Sequence, residues 1–307
     1  MLEKSLADRL SVVIPAYNEA AGLSITIEAL LRDCAGAEVI VVDDASQDAT
    51  AAQVARFPGV RLIRHRYNRG QGGALKTGMR QASRPYVAWF DADNEHRTED
   101  LARLVERIIA QDLVAVIGQR TDGSVSLLRG AGKALIRMIG RQLKIRAGSD
   151  LNCGLRVFRR EIILGYLPIV PDRFSASLMT TLILLERRYP IAFMPVTTNA
   201  RVGSSTVRLR DGFDAILILL RAIMLFAPIR VFLPMGFWLA TIGVVYGIVI
   251  ALIAGAGFPV AGMLLIVVGL LSMMLGLVAD QISQMRLSQL PENVILRKED
   301  NSDEPSS

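Results

Sequence analysis

The chain has 307 residues, 51% of them hydrophobic, and a mean hydropathy of +0.37, which is high for a protein of this length living wholly in water. Its net charge of +6 suits a surface held against anionic lipid. Its two cysteines, Cys34 and Cys153, exclude a disulfide framework and fit a reducing compartment. Nucleic-acid binding would share the charge but not the long uncharged run near the C-terminus, so no nucleic-acid partner is expected.

The first ten residues are charged and carry no apolar h-region, so no signal peptide is read there and the front of the chain is expected on the cytoplasmic side. Short Val/Ile-rich strands are predicted at 11–15 (SVVIP), 38–43 (EVIVVD), 60–65 (VRLIRH), 86–91 and 113–118 (LVAVIG). Helices are predicted between them at 23–34, 49–56, 73–82 and 99–110. This alternation predicts an α/β domain over 1–210 with a mostly parallel sheet covered on both faces.

Residues 211–228 (DGFDAILILLRAIMLFAP) are apolar with sparse charges and end at a proline; they read as an interfacial helix, 211–230, leading into a membrane. From Val231 to Ala279 there is no Asp, Glu, Lys, Arg or His. A helix over 231–254 would be ~36 Å long against a hydrocarbon core of ~30 Å. The GAGFP run at 255–259 breaks it, and 260–279 supplies a second span, giving a transmembrane helical hairpin within 231–283. Arg221 and Arg230 precede it, and Arg286, Arg297 and Lys298 follow it, which puts both ends on the positive, cytoplasmic side of an inner membrane. The glycines at 236, 243, 247, 262, 269 and 276 allow close helix packing within or between subunits, so a homo-oligomer is an expectation. Residues 284–307 read as a polar tail.

The acids collect where the strands end. The fourth strand runs into Asp91-Ala92-Asp93-Asn94-Glu95. In open α/β sheets ligands bind at that edge. Three carboxylates so close repel one another unless a cation sits among them, and Mg2+ or Mn2+ takes oxygen ligands from carboxylates and substrate phosphates. The alternative is a solvated acidic loop capping the helix that begins near Thr98. The first strand ends in Pro15-Ala16-Tyr17-Asn18-Glu19 and the second in Val42-Asp43-Asp44-Ala45-Ser46. Tyr17 can stack on a base and Asp44 can accept from a base N–H or a ribose hydroxyl, while 46–48 can also cap the next helix. The glycines of 68–78 (NRGQGGALKTG) lack the Lys and Ser/Thr of a phosphate loop; they fit a close backbone approach at a helix start.

Together these four motifs, in this order and spacing, resemble the family 2 inverting glycosyltransferases of GT-A fold, over nearly all of residues 10–210. Within that family the chain is similar to the polyprenyl-phosphate glycosyltransferases, the dolichol-phosphate mannose synthase group. The residues that carry this closer likeness are Gly118-Gln119-Arg120, Arg129, the run from Asp150 to Arg156 (DLNCGLR), the run from Arg201 to Ser205 (RVGSS), and the two spans.

The resemblance implies a GT-A catalytic domain, Rossmann-like and mostly parallel, plus a C-terminal two-helix membrane hairpin. It implies a donor nucleotide site at Pro15, Tyr17, Glu19, Val42, Asp44, Asp91, Ala92, Asp93 and Arg201, with Asp91, Asp93, Asp150 and Arg201 at the chemistry. Asp93 and Glu95 would ligate Mg2+ or Mn2+, and Arg120, Arg129 and Lys133 would grip the phosphate of a polyprenyl phosphate. Arg129 and Lys133 would share a face of a helix over 127–141; a basic face against lipid headgroups is the other reading. Two positions depart from the family pattern: Glu95 stands where Gln is frequent, and Thr206 where Lys is frequent. The implied reaction moves a sugar from a nucleotide-sugar, GDP- or UDP-linked, onto the lipid phosphate with inversion. The alternatives are a non-phosphorylated lipid acceptor or a processive polysaccharide synthase, whose Gln-x-x-Arg-Trp motif this chain lacks.

Overall fold

The computed structural model describes residues 1–120, 153–173, 176–199, 228–255 and 257–288. A short helix α1 (Lys4–Ala7) leads into β1 (Leu10–Ala16), α2 (Ala20–Asp33), β2 (Glu38–Asp43), α3 (Thr50–Val54), β3 (Arg61–Arg64), α4 (Gln71–Gln81), β4 (Tyr86–Trp89), α5 (Thr98–Ala110) and β5 (Ala115–Arg120). Then come β6 (Arg156–Arg159), α6 (Arg160–Tyr166), α7 (Ala176–Glu186) and β7 (Ile191–Val196).

The seven strands form one sheet in the order β3-β2-β1-β4-β6-β5-β7. Pairing is parallel except where β6 runs antiparallel between β4 and β5. The sheet is therefore mostly parallel, as predicted, and every strand read from the sequence is present within a residue or two of its expected bounds. Strands β6 and β7 and helices α1, α6 and α7 are additions.

Strands buried on both faces need apolar cover on both, and the helices supply it. Leu23, Ile27 and Leu30 of α2 and Leu101, Leu104, Val105 and Ile108 of α5 pack one face. Leu75 and Met79 of α4, Ile162, Ile163 and Tyr166 of α6, and Leu182 and Ile183 of α7 pack the other. Helix α5 opens with Glu99 and Asp100 and closes with Arg107, charges that complement the helix dipole at each end. The edge strand β3 carries Arg61 and Arg64, which discourages pairing with another sheet.

Strand β6 begins with Arg156, whose guanidinium is fully buried. It donates to the Cys153 and Ser177 carbonyls and to the Thr180 and Thr181 hydroxyls, and lies 5.5 Å from the Trp89 ring centroid. That network ties α7 to the turn before β6.

Two long apolar helices, α8 (Ile229–Ala254) and α9 (Val260–Ser288), close the described chain. Each is long and apolar enough to cross a membrane, and the pair fits a transmembrane hairpin. Helix α9 runs about nine residues past the predicted span. Its extension, from Asp280, carries the polar and charged residues that the uncharged run lacks. The hairpin glycines serve contact within the chain: a Cβ at Gly236 would lie 2.5 Å from the Gly269 carbonyl, and one at Gly243 would lie 2.8 Å from that of Gly262. Gly255 ends α8 in the left-handed region, at φ 60°.

Candidate active site

Because β1, β2 and β4 are parallel and adjacent, with Ala16 beside Asp43 and Val13 beside Trp89, their C-terminal ends open onto one edge. Each end continues through a non-glycine residue in the left-handed region: Asn18 at φ 55°, Ala45 at φ 64° and Asn94 at φ 58°. Side chains rarely adopt this conformation, and its cost is met at sites where the chain must turn sharply.

The first two loops are sewn together. Asn18 N–H donates to Ser46 Oγ at 3.0 Å, and Gln47 N–H to Asn18 Oδ1 at 2.9 Å. Asp48 accepts from Ala20 N–H at the start of α2 and from Thr50 N–H at the start of α3, so one carboxylate serves two helix beginnings. Tyr17 stays 46% exposed on this rim. Pro15 and Glu19 are half-buried beside it.

Asp44 is buried, and its carboxylate organises the neighbouring loop. Oδ1 accepts from Arg69 N–H at 2.9 Å and lies 2.6 Å from His65 Nδ1; Oδ2 accepts from Gly70 N–H at 2.7 Å. The far side of the His65 ring reaches Thr77 Oγ1 at 2.9 Å. The glycines that follow do allow close approach, but to the protein itself: a Cβ on Gly72 would collide with the Pro171 carbonyl, and Gly73 N–H donates to Asp172 O at 2.7 Å. Lys76 and Arg69 pair with the Asp172 carboxylate; burial would push its pKa up, and the two cations outweigh that and hold it low. The start of α4 is thus covered by chain.

In the third loop Asp93 is buried and accepts from Glu95 N–H at 3.1 Å. Gly22 of α2 lets that helix lie against it, since a Cβ there would be 2.9 Å from the Ala92 carbonyl. Asp91 Oδ1 accepts from Gln71 Nε2 at 3.1 Å, and Asp91 Oδ2 lies 3.1 Å from His96 Nε2. Burial pulls the His96 pKa down, but the hydrogen bond to Asp91 and the charges of Asp91, Glu95 and Asp93 outweigh it, so the net shift is upward. Glu95 pairs with Arg120, at the end of β5, at 3.5 Å. Asn199, two residues before Arg201, donates its N–H to the Glu95 carbonyl at 2.9 Å, and its side chain reaches Arg97 and Asn94.

The edge therefore gathers Pro15, Tyr17, Glu19, Asp44, Asp91, Asp93, Glu95 and Arg120. The side chains of Val42 and Ala92 belong to the core beneath it. Arg129, Lys133, Asp150, Arg201 and the helix expected over 127–141 lie outside the described residues, as do residues 211–227 of the interfacial helix expected over 211–230, whose last two residues instead open α8. Sequence reasoning passed over Gln71, His96, His65 and Gly154. His96 directly follows the acids and so had a positional signal; the others had none stronger than their motif company.

The architecture has known counterparts. Residues 11–165, half of the chain, match the model of glycosyl transferase family 2. The chain belongs to that family. Residues 227–285 match the GtrB C-terminal hairpin. This family 2 chain is 33% identical over 184 residues to an undecaprenyl-phosphate 4-deoxy-4-formamido-L-arabinose transferase of Pectobacterium carotovorum, a stretch that spans 54% of the chain and only 56% of that relative. It is 27% identical to the transferase of the same name from Sodalis glossinidius, over 75% of the chain and 85% of the relative. Among solved structures, glucosyl-3-phosphoglycerate synthase from Mycobacterium tuberculosis, described with Mn2+ and UDP, shares the fold at a TM-score of 0.58 and 21% identity, covering 71% of this family 2 chain and 82% of that one.

Among the described residues no three His, Cys, Asp or Glu side chains gather closely enough to hold a metal ion unaided. Asp93 and Glu95, two residues apart in the loop after β4, nonetheless carry hard oxygen donors, the kind that suits an ion such as Mg2+ that completes its shell with substrate phosphates and water.

Proposed function

We propose that this chain is an inverting glycosyltransferase that moves a sugar from a GDP- or UDP-sugar to a polyprenyl phosphate at the cytoplasmic face of an inner membrane. The observation that carries this reading is the convergence of Tyr17, Asp91, Asp93 and Glu95 on one sheet edge with Arg120 against Glu95, in a chain that also holds a membrane hairpin. The Pectobacterium and Sodalis relatives, undecaprenyl-phosphate transferases by name, support the acceptor class.

In this reading the base stacks on Tyr17, and Asp44 Oδ2, which accepts from Gly70 N–H, also accepts from the base or ribose. Glu19 borders the nucleoside, and Pro15 with the backbone at Val42 and Ala92 shapes the floor. Asp91 orients the sugar. Asp93 and Glu95 would hold Mg2+ or Mn2+, which supplies Lewis-acid stabilisation of the leaving diphosphate. Arg201 is assigned to the same charge. Arg120, Arg129 and Lys133 are assigned to the acceptor phosphate, and Asp150 to orienting acceptor or sugar.

A phosphate monoester is already anionic near neutral pH and attacks the anomeric carbon without a strong general base. Attack opposite the leaving diphosphate inverts that centre, forming the new C–O bond as the old one breaks. The residues at this edge therefore act by positioning and charge.

The test uses the full-length protein in detergent with Mn2+ or Mg2+, a short-chain polyprenyl phosphate and radiolabelled UDP- and GDP-sugars, followed by organic extraction. Label entering the organic phase with one donor, and its loss in Asp93→Asn, is the expected result. Label extracted only with a non-phosphorylated lipid, or with none, overturns the acceptor assignment.

A further inference from the structure

We infer that His96 is a positioning residue that holds the Asp91 carboxylate in its working orientation. This rests on the reading of Asp91 as the residue that faces the donor sugar.

The His96 ring is 3% exposed, and Nε2 lies 3.1 Å from Asp91 Oδ2. The other ring nitrogen, Nδ1, is buried without a hydrogen-bond partner among the described residues. The ring stands edge-on to Phe90 at a centroid distance of 5.8 Å and an interplanar angle of 75°. Its backbone is bridged to Thr198, which fixes where the side chain starts. A buried nitrogen without a partner costs on the order of 1–3 kcal/mol. An apolar side chain filling the same space would avoid that cost, so packing alone gives no reason for an imidazole here. What the imidazole adds is an Nε2–H aimed at Asp91.

The rest of the Asp91 environment has the same consequence. Gln71, the first residue of α4, donates to Oδ1 at 3.1 Å. Gly154 forms a wall against the carboxylate: a Cβ there would collide with Oδ2, and would lie 2.9 Å from Cγ and 3.1 Å from His96 Nε2. The carboxylate is thus held from α4, from the loop after β4 and from the turn before β6, while 26% of its side chain remains exposed. Three separate elements fix a partly exposed acid. Holding a reacting group is worth a large factor, because an error of about 1 Å in such a site costs on the order of 100-fold in rate.

The experiment compares His96→Asn with His96→Gln, two neutral amides of which only the longer places its NH2 near the position of Nε2. Both are made in wild-type and Asp91→Asn backgrounds of the full-length protein. Sugar transfer and binding of the nucleoside diphosphate are measured for each. The expected result is a kcat lower by roughly 10–100-fold in His96→Asn, with nucleotide binding within about 2-fold of wild type, and recovery of most of the rate in His96→Gln. In the Asp91→Asn background His96→Asn should add no further loss. Equal rates in His96→Asn and wild type, equal damage in both amides, or additive losses with Asp91→Asn would each overturn the inference. Loss of nucleotide binding in both amides would make His96 a folding residue and overturn it as well. If wild-type protein transfers no sugar from any donor, the functional reading fails, and the inference with it.

Discussion

The Glu95 carboxylate lies 3.5 Å from the Arg120 guanidinium, joining the loop that follows β4 to the end of β5. In the proposed function one partner is assigned to the metal and the other to the acceptor phosphate, so under that assignment the donor side and the acceptor side would adjoin at a single ion pair. Losing a hydrogen bond to a charged group costs about 1.5–3 kcal/mol, or roughly 10–100-fold. Arg120→Ala should raise KM for the lipid phosphate by that factor and leave KM for the nucleotide-sugar little changed. Glu95→Gln should instead raise the Mn2+ concentration needed for half-maximal rate. Initial rates against each component separate the two effects.

Ala45 sits at φ 64° with a Cβ that this backbone disfavours by ~1–2 kcal/mol. Glycine there relieves the strain but gives the unfolded chain more freedom, which takes back part of the gain. Ala45→Gly should therefore raise stability by up to about 1 kcal/mol, read as a higher Tm in detergent.

Gly72 admits the Pro171 and Asp172 carbonyls to the start of α4. Gly72→Ala should cost about 1–3 kcal/mol through overpacking, and it should loosen the loop that Asp44 holds. Thermal unfolding with and without nucleoside diphosphate measures both effects.

The halves of the α/β domain differed in legibility for a physical reason. Strands β1 to β5 alternate with helices, and each is a short Val/Ile-rich run beside its neighbour in the chain or one crossover away, so local pattern carried them. Strand β6, Arg-Val-Phe-Arg, has charged ends just as β3 does, but it slots antiparallel between strands that come before it in the chain, outside the strand–helix alternation. Nothing local marks Arg156 as fully buried; its burial depends on carbonyls and hydroxyls that only the tertiary fold supplies. The site followed the same division. The acids stand out in the sequence, whereas their orientation by Gln71, His96 and Gly154 is a matter of contacts across the fold.

Cys34 is buried beside Asp33, and burial first, then that negative charge, pushes its thiol from an ordinary value near 9 up to about 11. The thiolate is the reactive form, so in folded Cys153→Ser protein Cys34 should resist thiol reagents at pH 8 and react on unfolding. Because the raised value favours the neutral thiol in the folded state, this stabilisation is complete below pH 9 and is lost as pH rises towards 11. Reagent uptake against pH, with and without denaturant, checks both statements.

In the hairpin, a Cβ at Gly243 would lie 2.8 Å from the Gly262 carbonyl and 2.9 Å from Leu265 Cβ. Gly243→Leu should separate α8 from α9 and lower the temperature at which their helical signal melts in detergent, with nucleotide binding unchanged. Circular dichroism and a nucleotide titration on the same sample test this.

Two helices packed through glycine have no interior, and α8 and α9 leave no lumen between them for a hydrated sugar head. The proposed product would therefore stay in the leaflet where it forms, anchored by its polyprenyl tail. Carrying that head group to the opposite leaflet would need shelter from the hydrocarbon, which the glycine-lined contact between α8 and α9 does not provide.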